Sequence, residues 1–256
     1  MDMKKGLLNA SLLGVVLLLF SLQSKAERLK DRNTIGWYGT YNTIHVNEKV
    51  SLYLEYQWRR DNLVTDWQQL FTRGGIQYHF SKDISVMAGY AYALTYSYGD
   101  YHAGSHPIPE HRIFEQISWN DEQGRVDLNH RIRLEQRYLG KINQDLEEAE
   151  VHGWNYVNRV RYQLRASVPV NNKEMTDDTW YAAAYDELFI GFGKTVNQNI
   201  FDQNRIGILA GYQFNRNWRA EAGYLNVIQQ QGALVDSREV VQYNNGVIVN
   251  FYFTLR

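Results

Sequence analysis

The sequence predicts an all-β protein: an antiparallel transmembrane β-barrel of about ten to twelve strands that follows an N-terminal signal peptide. Three observations predict this fold. Apolar and polar residues alternate with period two along almost the whole chain after residue 26. Aromatic residues make up 14% of the chain, with 19 tyrosines and 7 tryptophans, and they gather toward the ends of the alternating segments. Only 3 prolines interrupt 256 residues, which leaves long segments free to pair as strands.

The N-terminal segment has the three parts of a secretory signal peptide. Lys4 and Lys5 form a basic region, residues 7–20 form an apolar region that is too short to span a bilayer as a helix, and Ser24-Lys25-Ala26 is a cleavage site of the small-x-small type. We therefore expect residues 1–26 to be a signal peptide and residues 27–256 to form one exported domain.

The strands follow from strict alternation. In the second one, Val50, Leu52 and Leu54 share one face while Ser51 and Glu55 share the other, and at 100° per residue such apolar positions would scatter around a helix. The same pattern predicts eleven strands in order: 33–46, 49–60, 67–80, 84–98, 110–120, 125–138, 154–169, 179–192, 203–215, 217–228 and 244–256.

The connections alternate in length, as expected when turns face the periplasm and loops face outside. Short turns are predicted at 47–48, 81–83, 120–124 and 215–217, and long loops at 99–109, 139–153, 193–202 and 229–245. Counting back from the last strand makes the first strand run in the same direction. Single-chain bacterial barrels normally have an even number of strands, so either one assigned segment is wrong, or residues 27–33 begin a further strand or enter the lumen. Ten and twelve strands both fit the sequence, and we favour twelve.

The length of the strands indicates which face of the predicted sheet contacts water. Segments of ten or more residues fit a tilted crossing of a bilayer better than a soluble strand, and the aromatic residues at their ends resemble interfacial girdles. The apolar rows are therefore predicted to face lipid in the outer membrane, with lipids and lipopolysaccharide as partners. The last strand ends in alternating aromatics, which is similar to the sorting signal recognised by the outer-membrane assembly machinery.

Four stretches resemble a known family. They are 110–116 (EHRIFEQ), 130–137 (HRIRLEQR), 185–190 (YDELFI) and 201–205 (FDQNR), and they are similar, in the same order, to the signature stretches of the outer-membrane barrel family catalogued as domain of unknown function 2490. The resemblance spans essentially the whole mature chain. It implies an outer-membrane barrel and no particular enzymatic activity.

The strongest candidate site is the polar face of the strands, which is predicted to line the lumen. Arginines of neighbouring strands would face one another there and need Asp127, Glu135, Glu187 and Glu221 as counter-ions. The predicted lumen network is Glu55, Arg59, Arg73, Arg112, Arg131, Arg133, Glu135, Arg137, Arg159, Arg161, Arg165, Glu187, Arg205, Arg219 and Glu221.

This network has two interpretations: a structural one, in which it fills and stiffens a narrow barrel, and a functional one, in which it is an anion-attracting constriction. The leading hypothesis is a narrow pore or structural envelope protein without catalysis. A lipid-modifying enzyme is an alternative, because His130 lies on an apolar row and His102, Ser105 and His106 share one loop, but no serine lies beside His130 to form a pair. A surface receptor or adhesin acting through the long loops is another.

Other chemistry has little support in the sequence. The absence of cysteine excludes disulfides, thiolate metal sites and a cysteine nucleophile, and a net charge of −1 gives no reason to expect nucleic acid. Two acidic loops lack the spacing of a calcium loop, and the glycines at 191 and 193 precede no helix, so we expect neither a metal nor a cofactor. The acidic residues of these loops are Asp145, Glu147, Glu148 and Glu150, and Glu174, Asp177 and Asp178.

Overall fold

The computed structural model describes residues 28–102, 104–143, 150–196 and 199–256, which form one closed barrel of eleven strands. The predicted signal peptide lies outside the described residues, as do Asp145, Glu147 and Glu148 of the first acidic loop. The strands are β1 (Leu29–His45), β2 (Val50–Asp61), β3 (Asp66–His79), β4 (Ile84–Thr95), β5 (Ile108–Gln123), β6 (Val126–Ile142), β7 (Val151–Pro169), β8 (Thr179–Phe192), β9 (Phe201–Asn215), β10 (Trp218–Val235) and β11 (Arg238–Leu255).

The barrel closes through one parallel pair. Ten neighbouring pairs are antiparallel, whereas β1 runs parallel to β11 with Leu29 opposite Val240 and Ile44 opposite Leu255. An up-and-down barrel with an odd number of strands must contain such a pair, because its first and last strands point the same way. The direction predicted for the first strand is thus confirmed. The preference for twelve strands is wrong, since the parallel pair closes the barrel without another strand.

The connections define two ends of the barrel. The lower end carries the β1–β2, β3–β4, β5–β6, β7–β8 and β9–β10 connections, and the upper end carries the other five. The predicted loop at 229–245 is wrong: β10 and β11 extend into a hairpin whose two connecting residues, Asp236 and Ser237, have φ of 49° and 61°. These angles suit the tight turn that joins two twisted strands, and Asp-Ser is a weaker sequence signal for it than Asn-Gly.

The two faces of the wall have opposite character. In β2, Ser51, Glu55 and Arg59 are at most 6% exposed, whereas Leu54 is 50% and Tyr56 45% exposed. Charged residues also line the interior along β5–β8, whereas the inward faces of β1 and β9–β11 carry a buried apolar cluster that includes Ile35, Leu209, Leu225 and Ile248. The interior is therefore charged on one side and apolar on the other, and the outer surface is largely apolar. No helix among the described residues has the length and hydropathy to cross a membrane.

Candidate functional site in the barrel interior

Charged side chains meet across the interior of the barrel. Arg165 of β7 contacts Glu221 of β10, although β8 and β9 lie between these strands, and Arg137 of β6 lies 3.4 Å from Asp202 of β9. Tyr181 also donates a hydrogen bond to Glu221, at 2.8 Å. Contacts between strands that are not neighbours in the wall require the side chains to point inward, so these residues fill the lumen.

Glu135 lies at the centre of the network. It is 1% exposed, and its two oxygens accept separate hydrogen bonds, one from Arg159 Nε at 2.9 Å and one from Arg161 Nη1 at 2.6 Å. Arg161 continues to Glu187 at 2.7 Å, and Arg131 reaches the same Glu187 oxygen at 2.8 Å. Arginines and glutamates thus alternate, and each of these two carboxylates compensates two guanidinium groups.

Glu110 and Glu55 anchor two further groups of charges. Glu110 binds Arg112 at 2.6 Å and Arg137 at 2.5 Å, and Glu55 binds Arg73 at 3.0 Å. Glu110 was missed by the sequence analysis, although it lies two residues before Arg112 and period-two alternation places both on one face.

Asp202 is a second carboxylate that the sequence analysis missed, and here the pattern fails for a physical reason. A β-bulge lets Phe189 and Ile190 oppose Gln203 and Phe201, which leaves Asp202 as the extra residue. The bulge turns Asp202 toward Arg159, 2.6 Å away. Asp127, predicted as a counter-ion, is instead exposed and forms no ion pair among the described residues.

Arginines of neighbouring strands face one another, as predicted, at two places: Arg112 lies opposite Arg137 in the β5–β6 pair, and a second pair joins β6 and β7. Arg133 and Arg161 lie directly opposite each other in the β6–β7 pair. The register places Arg131 opposite Gln163 and sets Glu135 against Arg159. The strand pairing itself therefore supplies a counter-ion that the sequence pattern could not place, because register depends on the turn.

Four of the predicted arginines form no ion pair within the described part of the chain: Arg59, Arg133, Arg205 and Arg219. They pack on aromatic rings instead. The guanidinium carbon of Arg59 lies 3.9 Å from the ring centroid of Trp37, and that of Arg205 lies 4.8 Å from it. The face of an indole ring attracts cations, so Trp37 stabilises two arginines that lack a carboxylate.

Three phenylalanines on the polar rows also belong to the site, and the sequence analysis missed them. Phe71, Phe114 and Phe189 are at most 1% exposed, and each ring has at least two guanidinium groups within 5.3 Å. The only feature of the sequence that could have identified these phenylalanines is their position on the polar rows, beside the arginines.

These side chains form a septum between two cavities. The upper cavity, about 730 Å³, lies beneath the long loops, and the lower cavity, about 430 Å³, lies at the lower end. The septum is defined here as six interior residues that line neither cavity and are at most 4% exposed: Phe71, Phe114, Glu135, Arg161, Glu187 and Phe189.

Comparison with known proteins identifies the family. The family model described as "Protein of unknown function (DUF2490)" matches residues 34–238, which is most of the chain. The chain belongs to the DUF2490 family. Searches of curated proteins and of solved structures found no match.

The stretches that resemble the DUF2490 family lie on β5, β6, β8 and β9. They supply most of the carboxylates of the interior, namely Glu110, Glu135, Glu187 and Asp202.

The histidines considered for catalysis lie apart from the septum. His130 Nδ1 lies 2.9 Å from Tyr162 Oη, and its ring stacks on Trp119 at 4.7 Å on the outer surface. A serine–histidine contact that the sequence analysis missed joins Ser51 Oγ to His45 and His79, at 2.9 and 3.0 Å, but Ser51 is fully buried. No cluster of three metal-ligating side chains is present in the described ranges.

Proposed function

We propose that this DUF2490 protein is an integral outer-membrane β-barrel whose lumen is closed by the charged septum, so that it serves as a structural envelope protein and not as an open diffusion channel. The observation that carries the proposal is the reversed polarity of the wall. Arginines and glutamates are buried inside the barrel, and isoleucines are exposed on its outer surface. This arrangement suits a lipid bilayer, which is apolar and offers no water to hydrogen-bond the backbone.

Aromatic residues support the membrane assignment by their positions. Trp58, Trp67 and Tyr96 cluster near the upper end, and Trp180 and Tyr212 pack together near the lower end. Within single strands, the separations from Trp67 to Tyr78 and from Trp154 to Tyr162 correspond to about 20–30 Å along the axis of a tilted barrel. This height fits the hydrocarbon thickness of an outer membrane.

Two acidic residues on the outer surface are exceptions to the apolar band. Asp186 accepts a hydrogen bond from Asn204, and Glu115 accepts one from Gln136 at 3.1 Å. Pairing within the wall lowers the cost of placing such groups beside lipid.

The septum argues against a wide channel. Its residues lie between the two cavities and are almost fully buried, and its arginine, Arg161, is held by Glu135 and Glu187 from the two neighbouring strands. A barrel of about this size leaves little free lumen once side chains fill it. Export would use the predicted signal peptide, with β1 beginning three residues after Ala26.

A pair of charge insertions tests the membrane assignment. Ile208 is 60% exposed in the apolar band of β9, and Val170 is 64% exposed just beyond β7 at the lower end. In a bilayer, Ile208→Arg should cost about 2–4 kcal/mol of folding free energy, whereas Val170→Arg should change it little, because only the first charge must enter hydrocarbon. The measurement is reversible urea unfolding of protein refolded into phospholipid vesicles.

The two substitutions place the same charge at two equally exposed positions, so a water-soluble barrel would tolerate both. Equal stability of the two variants, together with recovery of the wild-type protein in the soluble periplasmic fraction, would overturn the proposal.

A further inference from the structure

The lower cavity has a strong excess of positive charge. It is lined by Lys82, Arg131, Arg133, Arg216 and Arg219, and by a single carboxylate, Asp83. The upper cavity differs, because its two arginines, Arg137 and Arg159, are both bound to carboxylates. The lower cavity thus contains two of the four predicted interior arginines that form no ion pair in the described part of the chain, Arg133 and Arg219, and the upper cavity contains none of them.

Three arginines of the lower cavity have buried nitrogen atoms without a hydrogen-bond partner in the described structure. They are Nε of Arg131, Nη1 of Arg133 and Nε of Arg219. Arg133 is 2% exposed, and its other two donors converge on one oxygen, Gln116 Oε1, at 2.9 and 2.5 Å. A buried guanidinium without a carboxylate is costly, so the arrangement calls for an anion.

We infer that the lower cavity binds a phosphate group. Arg131 and Arg133 come from β6 and Arg219 from β10, which is four strands away around the wall, so cationic side chains line the cavity from two walls. A planar carboxylate is satisfied by one bidentate arginine, whereas a phosphate carries more charge and presents acceptor oxygens in several directions.

The size of the cavity indicates what else the ligand can carry. Its volume of about 430 Å³ is several times that of a phosphate ion and falls within the usual range of small-molecule sites. Tyr41 and Tyr252 line it and stack on each other with ring centroids 4.7 Å apart. The site therefore has room for a small phosphorylated molecule, or for the headgroup of a phospholipid entering at the lower end.

Isothermal titration of the full chain refolded in detergent micelles tests the inference. Inorganic phosphate and glucose 6-phosphate should bind saturably, and acetate should bind much more weakly. Arg133→Met and Arg219→Met should each weaken phosphate binding at least tenfold. Arg205→Met is the matched control, because Arg205 is also an interior arginine without an ion pair but lies outside the lower cavity.

Titration with monomeric dihexanoyl phosphatidic acid distinguishes the two sources of phosphate. Binding of this lipid alone assigns the site to a headgroup, and binding of the soluble phosphates assigns it to a solute. Heat-modifiable migration on gels verifies that each variant is folded, and the partly exposed Arg219 provides a second variant if Arg133→Met fails to fold.

Absence of saturable binding of all three probes, inorganic phosphate, glucose 6-phosphate and the lipid, by the folded wild-type protein would overturn the inference, as would an Arg205→Met variant that binds as weakly as Arg133→Met. Because binding is measured in micelles, such a failure is independent of the membrane assignment, which the charge insertions test.

Discussion

Glu135 illustrates how single residues stabilise a charged interior. Removing a guanidinium group from water costs several kcal/mol, and the attraction of a carboxylate offsets that cost only when the geometry is good. Glu135 meets this requirement twice, through Arg159 and Arg161, and its own exposure is 1%. Its contribution therefore lies in keeping two neighbouring cations compensated.

Neutralising Glu135 should destabilise the barrel. In Glu135→Gln, Arg159 keeps Asp202 and Arg161 keeps Glu187, but both lose one carboxylate, and we expect a loss of about 3 kcal/mol in the free energy of unfolding. Urea unfolding in vesicles, followed by tryptophan fluorescence, measures it. Glu115→Gln makes the same chemical change on the outer surface and should have a much smaller effect. A similar loss in both variants would contradict the importance of burial.

The parallel pair of β1 and β11 is the element on which closure depends. Gly246 lies opposite Ile35 in this pair, and a Cβ atom at residue 246 would lie 1.7 Å from the carbonyl oxygen of Ile35. Backbone atoms of a paired strand cannot move aside as a flexible side chain can. The two strands therefore approach this closely only because residue 246 has no side chain.

Gly246→Ala should therefore loosen the closing pair. We expect a loss of roughly 1–3 kcal/mol and a lower temperature at which the folded band disappears from gels. Gly153→Ala in β7 is the control, because its nearest neighbour is the flexible side chain of Lys141 at 3.6 Å. If Gly246→Ala unfolds at the same temperature as Gly153→Ala and the wild-type protein, the close approach of β1 and β11 does not limit stability.

At the scale of the whole molecule, the proposed function requires the septum to prevent conduction through the barrel. Phe189 is fully buried and packs against Arg159, Arg161 and Arg205. Its removal leaves a void that is bordered by cations and open to hydration. We expect Phe189→Ala to raise the conductance of planar bilayers several-fold above a nearly silent wild type, with a preference for anions.

Phe192→Ala is the matched control for conductance, because Phe192 lies on the same strand but is 44% exposed on the outer surface. It should remain as silent as the wild-type protein. An open wild-type channel would contradict closure by the septum, and a silent Phe189→Ala barrel would show that other side chains keep the lumen shut.

Most of the wall was predictable from local sequence. The alternation of Ser51 and Glu55 with Leu52 and Leu54 depends only on the geometry of one strand, since successive side chains point to opposite faces. The number of strand candidates follows from the same alternation, and the direction of the first strand follows from counting the strands back from the last one. The β10–β11 hairpin was missed because its tight turn at Asp236 and Ser237 carries a weak sequence signal.

The sequence predicted which residue types line the candidate site, but it did not predict which residues pair with one another there. Alternation placed the arginines on the inner face, yet Asp202, one of the two partners of Arg137, and Glu221, the partner of Arg165, lie three strands away, and these contacts depend on barrel curvature. Asp202 reaches the interior through a bulge, which shifts the alternation by one residue.

The sequence by itself determined that this chain forms strands with one charged and one apolar face, because side-chain direction in a strand is a local property. Only the tertiary structure decided that eleven strands suffice, that a parallel pair closes them, and which arginines lack a carboxylate. Closure and pairing depend on where strands far apart in the chain meet, and alternation carries no information about that distance.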